Sequence, residues 1–205
     1  MSADRPFQET PNVRVEALSI ARGGRLLFEG LSLEAAPGAL IEIVGPNGAG
    51  KTSLLRAIAG FLPPHAGSIA LEGASDPALA QHFVAHQNGL KPSVSVRAHL
   101  RYWMGLLGGE GDETAALERL GLARAADLPA RVLSQGQARR LALSRLLLAQ
   151  RPVWLLDEPA AALDAAGRAL LSDLIEAHRA KGGVVLAAVH EPLGPTPSAR
   201  VAVNA

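Results

Sequence analysis

Apolar and polar residues alternate in two stretches near the start of the chain, Val13-Arg14-Val15-Glu16-Ala17-Leu18 and Leu31-Ser32-Leu33-Glu34-Ala35. A period of two predicts half-buried strands, and Arg22-Gly23-Gly24-Arg25 and Pro37-Gly38 read as the turns beside them. Leu40 to Val44 reads as an apolar strand that runs into a glycine-rich loop, followed by helical spacing from Thr52 to Ala59. Pro63-Pro64 breaks the chain before a further strand, Ser68 to Glu72.

The texture changes from about Asn88 to Leu148. Helical spacing dominates in Val96 to Leu107, Thr114 to Leu122 and Gln137 to Leu148, with Gly and Pro between them. Strand patterns return at Val153 to Leu156 and Val184 to Val189, two short apolar runs that read as fully buried parallel strands, separated by a helix over Ala165 to Lys181. Strands on both sides of a helical insert predict an α/β core with a helical subdomain at about 88–148, within a single domain, 1–205. There is no internal repeat, and the abundant alanine is scattered rather than clustered.

Composition narrows the possibilities. The chain has 205 residues, 48% hydrophobic and 19% charged, with net charge +1. That is too apolar and too balanced for disorder, and it gives no electrostatic case for nucleic acid. Zero cysteines exclude disulfides, thiolate zinc sites, cysteine nucleophiles and thioether haem attachment. No apolar run reaches the roughly 18 to 20 residues of a membrane-spanning helix. The polar segment Met1 to Asn12, with Asp4 and Glu9, does not have the pattern of a secretory signal. The six histidines, His65, His82, His86, His99, His178 and His190, are dispersed and form no metal or haem spacing.

Gly45-Pro46-Asn47-Gly48-Ala49-Gly50-Lys51-Thr52 fits G-x-x-x-x-G-K-[ST], directly after a strand and before a helix. In such a P-loop the backbone N–H groups turn inward toward phosphate oxygens, at the positive end of the following helix. Lys51 is expected to reach the β and γ phosphates, the Thr52 hydroxyl to hold Mg²⁺, and Ser53 to touch an earlier phosphate. Val153-Trp154-Leu155-Leu156-Asp157-Glu158 is an apolar strand ending in two carboxylates, the Walker B pattern. Asp157 is expected to hold Mg²⁺ through water, and Glu158 to polarise the attacking water. Leu133-Ser134-Gln135-Gly136-Gln137 opens a helix and is followed by Arg139-Arg140. Ser134 and the Gly136 backbone could make a second anion site there, or Ser134 could be an ordinary helix cap.

In this order the motifs resemble those of the nucleotide-binding subunit of ATP-binding cassette transporters, whose signature is L-S-x-G-Q. The resemblance covers nearly the whole chain and implies a P-loop NTPase core with an antiparallel β subdomain and a helical signature subdomain. It implies a Q-loop glutamine at Gln87, a D-loop at Ala161-Ala162-Leu163-Asp164 and a switch histidine at His190. On that resemblance Gln87 binds Mg²⁺ or the water and senses a membrane partner, Glu158 is the general base, and His190 contacts the γ-phosphate and orients the base. It further implies two copies sandwiching two ATP, each copy's Leu133–Gln137 completing the other's site, with Asp164 at that interface. Two features depart from the family: Ala161 stands where a serine is frequent, and no aromatic near Arg22 is placed to stack on adenine, leaving Arg22 or Phe28 as substitutes.

The shortness of the chain after His190, the His86-Gln87 pair, the turn Ala21 to Phe28 and His190-Glu191-Pro192-Leu193 are similar to the haem exporter of cytochrome c maturation. This branch implies polytopic membrane subunits as partners, a peripheral place on the cytoplasmic face of the bacterial inner membrane, and no direct contact with haem. The alternatives are another transporter ATPase, moving lipid, peptide or ion, and a cassette protein outside transport. The cluster Arg97, Leu100, Tyr102, Trp103, Met104 and Leu107 is either a groove for a partner's helix or the core of the helical subdomain.

Overall fold

The computed structural model describes residues 7–109 and 111–204, so the first half of the polar leading segment lies outside the described residues. The chain divides into two compact units, Met1–Phe83 with Arg151–Glu158 and Ser172–Ala205, and Val84–Gln150 with Pro159–Leu171.

The first unit carries two sheets. Strands β1 (Asn12–Arg22), β2 (Arg25–Ala35) and β4 (Ala66–Glu72) form an antiparallel sheet in the order β2-β1-β4. The alternation of the sequence sets their faces: Val13, Val15, Leu18 and Ile20 are buried, and Arg14 and Glu16 face out. Strand β1 bulges between Val15 and Leu18, where Ala17 takes a positive φ and its N–H donates to the Ser32 hydroxyl at 2.9 Å. That side-chain bond satisfies a backbone donor displaced from the ladder.

The second sheet is built from β3 (Leu40–Val44), β5 (Gln81–Val84), β6 (Val153–Asp157), β7 (Val184–Ala188) and β8 (Ala199–Ala202), in the order β5-β6-β7-β3-β8. Strands β6, β7, β3 and β8 run parallel, with Asp157 in register with Ala188 and Ile43 with Ala188. This crossed order brings the carboxyl ends of β3, β7 and β6 side by side, where an α/β sheet presents its ligand groups. Helix α1 (Lys51–Ile58) buries Leu54, Leu55 and Ile58 in the same apolar core as both sheets.

The second unit is helical. Helices α2 (Val96–Leu107), α3 (Glu113–Arg119), α4 (Gln135–Leu143) and α5 (Arg145–Leu148) surround a core of Val96, Leu100, Trp103, Leu117, Leu120 and Leu141. Ser95 caps α2 by accepting from Ala98 N–H, and Asp112 caps α3 by accepting from Thr114 and Ala115. Helix α6 (Ala165–Ala180) runs from this unit into the first.

The fold class expected from the sequence is the one observed; several boundaries differ. Strands β1 and β2 are each eleven residues long, well beyond the alternating stretches that announced them. Strands β5 and β8 carried too weak a pattern to be expected. The helix expected over Gln137 to Leu148 breaks at Ser144 into α4 and α5 and begins earlier, at Gln135. In the cluster on α2, Leu100 and Trp103 are core, Arg97 is paired with Glu113 and Asp127, and Tyr102 stays 64% exposed.

Candidate nucleotide site

The loop Gly45, Pro46, Asn47, Gly48, Ala49, Gly50 joins β3 to α1, so the sheet delivers it directly to a helix N-terminus. The first N–H groups of α1 have no intrahelical acceptor, and the cap residue Gly50 has no side chain to satisfy them. Gly50 has φ 110°, and a Cβ on it would lie 2.9 Å from Cδ1 of Phe28. Glycine is therefore required twice over, by backbone conformation and by the ring beneath the loop. Phe28 belongs to the core, 5% exposed, and supports the loop rather than presenting a face to a base.

Lys51 is buried, and its Nζ donates to the carbonyls of Gly45 at 2.7 Å and Pro46 at 3.1 Å. The ammonium is thus held against the loop by its own backbone. The hydroxyl of the next residue, Thr52, donates to Asp157, with Oδ1 at 3.0 Å and Oδ2 at 3.1 Å. Asp157 ends β6 and is buried, so a hydroxyl and a carboxylate, two hard oxygen donors, share one point at the sheet's carboxyl edge. Ser53 is also buried in the first turn.

Glu158 follows Asp157 with φ 49°, a conformation uncommon outside glycine, and its N–H donates to Ala188 O at 3.0 Å. Holding a side chain there costs of order 1 to 3 kcal/mol and is a recurring feature of reactive sites. The turn aims the Glu158 carboxylate at His190, which follows β7; His190 Nε2 lies 3.0 Å from Glu158 Oε1. Within one unit, residues from three different strand ends (Lys51 and Thr52, Asp157 and Glu158, His190) converge.

The other expected residues lie in the helical unit. Gln87 sits in an exposed bend after β5. Ser134 caps α4 in a reciprocal box: its Oγ accepts from Gln137 N–H at 3.1 Å, and Ser134 N–H donates to Gln137 Oε1 at 2.9 Å. The cap uses a lone pair of Ser134 Oγ and leaves its O–H as a donor. Leu133 precedes this cap, and Gln135 and Gly136 form the first turn. A Cβ on Gly136 would meet the Ala162 carbonyl at 2.9 Å, so the first turn of α4 packs directly on the backbone at Ala162. Asp164, exposed, accepts from Gly167 N–H at 2.8 Å and caps α6.

Two residues to which the sequence reading assigned no role prove structurally important. Arg139 is buried and donates to the carbonyls of Ala85 at 2.8 Å, His86 at 3.3 Å and Pro159 at 3.2 Å, and to Asn88 Oδ1 at 3.2 Å. It ties α4 to the chain on both sides of Gln87. Glu42 is a buried carboxylate in the middle of β3. A single charge inside an otherwise apolar strand was the signal available for it.

Comparison with known proteins bears on the family and the fold. The ABC transporter family profile matches residues 28–161. A cytochrome c biogenesis ATP-binding export protein CcmA from Rhodopseudomonas palustris strain BisB5 is 52% identical over 181 residues, covering 86% of this chain and 90% of the relative. The protein of the same name from Hyphomonas neptunium is 46% identical over 184 residues, covering 90% and 92%. Among solved structures, an ABC transporter ATP-binding protein from Pyrococcus furiosus superposes with TM-score 0.81 at 23% identity, covering 94% of this chain and 97% of that one. A bacterial Atm1-family ABC exporter with ATP bound gives TM-score 0.77 at 23% identity over 93% of this chain and 36% of the exporter. The last two speak for the fold, the first two for kinship. By profile, by identity over most of its length and by its phosphate loop, the chain belongs to the ABC transporter family and is one of its ATP-binding, ATP-hydrolysing chains.

Proposed function

We propose that the chain powers an export complex of cytochrome c biogenesis, the haem exporter, as its ATP-hydrolysing subunit. In this reading two copies sandwich two ATP and dock on polytopic membrane subunits from the cytoplasmic face of the inner membrane. Among the described residues no helix is long and apolar enough to cross a membrane, so attachment runs through those subunits. The observation that carries the choice of complex is the identity to the CcmA proteins, which is about half of all positions over most of the chain.

The chemistry follows from the converging residues. The β and γ phosphates lie in the P-loop against the first N–H groups of α1, and Lys51, which has three N–H donors and spends two on loop carbonyls, offers the third to a phosphate oxygen. Thr52 and Asp157 suit Mg²⁺, which takes one or two protein oxygens and otherwise prefers water and phosphate; held by them, the ion would supply positive charge against the phosphates. We assign Gln87 to that ion or to the attacking water. Glu158 accepts the proton as water attacks the γ-phosphorus; the bond to the bridging oxygen breaks, releasing ADP and phosphate. His190 holds the Glu158 carboxylate and contacts the γ-phosphate. The Ser134 hydroxyl and the Gly136 backbone of the second copy close the site over the γ-phosphate, with Asp164 at the seam.

Deletion of the gene and complementation test this reading. The intact chain should restore covalent haem attachment to c-type cytochromes and co-purify with polytopic membrane proteins; Lys51→Ala should restore neither haem attachment nor turnover. Normal c-type cytochromes in the deletion strain would contradict the assignment to this complex.

A further inference from the structure

Strand β3 is Leu40-Ile41-Glu42-Ile43-Val44, and its only charged side chain is 1% exposed. Glu42 lies in register between Ala187 of β7 and Arg200 of β8. Its two oxygens have different partners: Oε1 accepts the Leu193 N–H at 3.1 Å, and Oε2 accepts from Arg200 Nε at 2.8 Å. Burying a carboxylate is costly where an aliphatic side chain would fill the same space, and a pair of this kind is weak evidence for stability alone. What the carboxylate does is visible in the segment it holds.

His190 sits on the irregular connection between β7 and β8. The connection is tied to β3 just before and just after the histidine: Val189 N–H donates to Ile43 O at 3.0 Å, and Leu193 N–H donates to Glu42 Oε1. The arc His190-Glu191-Pro192 is therefore suspended between two adjacent residues of β3, one contributing its carbonyl and the other its side chain. Pro192 has no N–H of its own to anchor the arc. We infer that Glu42, held in place by Arg200, is a positioning residue that sets the reach of His190 toward Glu158, and that β8 acts on hydrolysis through it. This rests on the reading of His190 given above.

A mutant cycle on the full-length chain, co-purified with its membrane partners, tests the inference by ATP turnover and by amide exchange at Leu193. Glu42→Leu should lower kcat about tenfold with KM for ATP little changed, a loss typical of a misplaced catalytic group, and should speed exchange at Leu193. Glu42→Gln, whose amide oxygen can still accept from Leu193, should keep most of the turnover and the protection. In a His190→Ala background Glu42→Leu should cost nothing further. An equal loss in that background, or unchanged kcat and exchange in Glu42→Leu, would overturn the inference. Should Glu42→Leu fail to fold, Arg200→Met in the same cycle decides by the same criteria. Full turnover by His190→Ala alone would instead overturn the reading of His190, and exchange at Leu193 would still report whether Glu42 holds the arc.

Discussion

Thr52 and Asp157 stand 105 positions apart in the chain and meet in a hydroxyl-to-carboxylate hydrogen bond of 3.0 Å. On the proposed reading both side chains serve one divalent cation bound with the phosphates. Asp157→Asn should therefore bind ATP as the parent does in EDTA but lose the gain in affinity that Mg²⁺ brings. Calorimetric titration of ATP with and without the metal checks this.

The loop itself is constrained by Gly50 and Lys51. Gly50→Ala must accommodate φ 110° and displace the Phe28 ring, a cost of about 1 to 3 kcal/mol, so ATP affinity and thermal stability should fall together. Lys51→Ala should leave the melting temperature near the parent's and weaken binding of the triphosphate specifically. Melting curves with parallel ATP titrations separate the two.

A pH dependence arises far from the phosphate loop. His178 is buried, stacked on Trp154 at 3.8 Å, met edge-on by Phe7, and 3.1 Å from Pro152 O through Nε2. Burial, reinforced by nearby His82 and Lys181, pushes its pKa down from 6.5 to about 3. Between these values the unfolded chain binds a proton that the folded chain refuses, so stability falls as pH drops below 6.5, approaching 1.4 kcal/mol per unit. At pH 5 the loss from this group is about 2 kcal/mol. His178→Phe keeps a flat ring on Trp154 and should flatten the acid limb of melting temperature against pH.

Arg139 should be hard to replace. Its removal leaves the carbonyls of Ala85, His86 and Pro159 without the donor they share, which predicts a destabilisation of about 2 to 4 kcal/mol for Arg139→Ala. Lysine is a single point of charge and cannot span these acceptors as a guanidinium fork does, so Arg139→Lys should recover only part of the loss. Denaturant unfolding of both variants measures the difference.

What could be read from the sequence and what could not divides along physical lines. The P-loop and the Asp157-Glu158 pair were legible because each is a short run whose chemistry and flanking elements are local. Strand β8 was not, since Ala199-Arg200-Val201-Ala202 becomes a strand only by pairing with β3. The break at Ser144 was invisible because the helical spacing of Leu141, Leu143 and Leu146 continues through it. Phe28 could be pictured beside a base until the fold placed it under Gly50. Glu42 gave one clue, a charge among aliphatics, but its partners lie 151 and 158 positions away. The roles proposed for Gln87, for Ser134 across two copies and for Asp164 between them rest on resemblance to a family, and their settings in this chain, a bend, a cap box and a helix cap, would each pass for ordinary structure.

ATP turnover by Glu158→Gln tests the assignment of the general base most directly. The amide keeps the size of the side chain and the turn at φ 49° but cannot take the proton, so turnover should fall about 10²- to 10⁴-fold while ATP stays bound and a two-copy species accumulates. Turnover within a few-fold of the parent's would contradict the account.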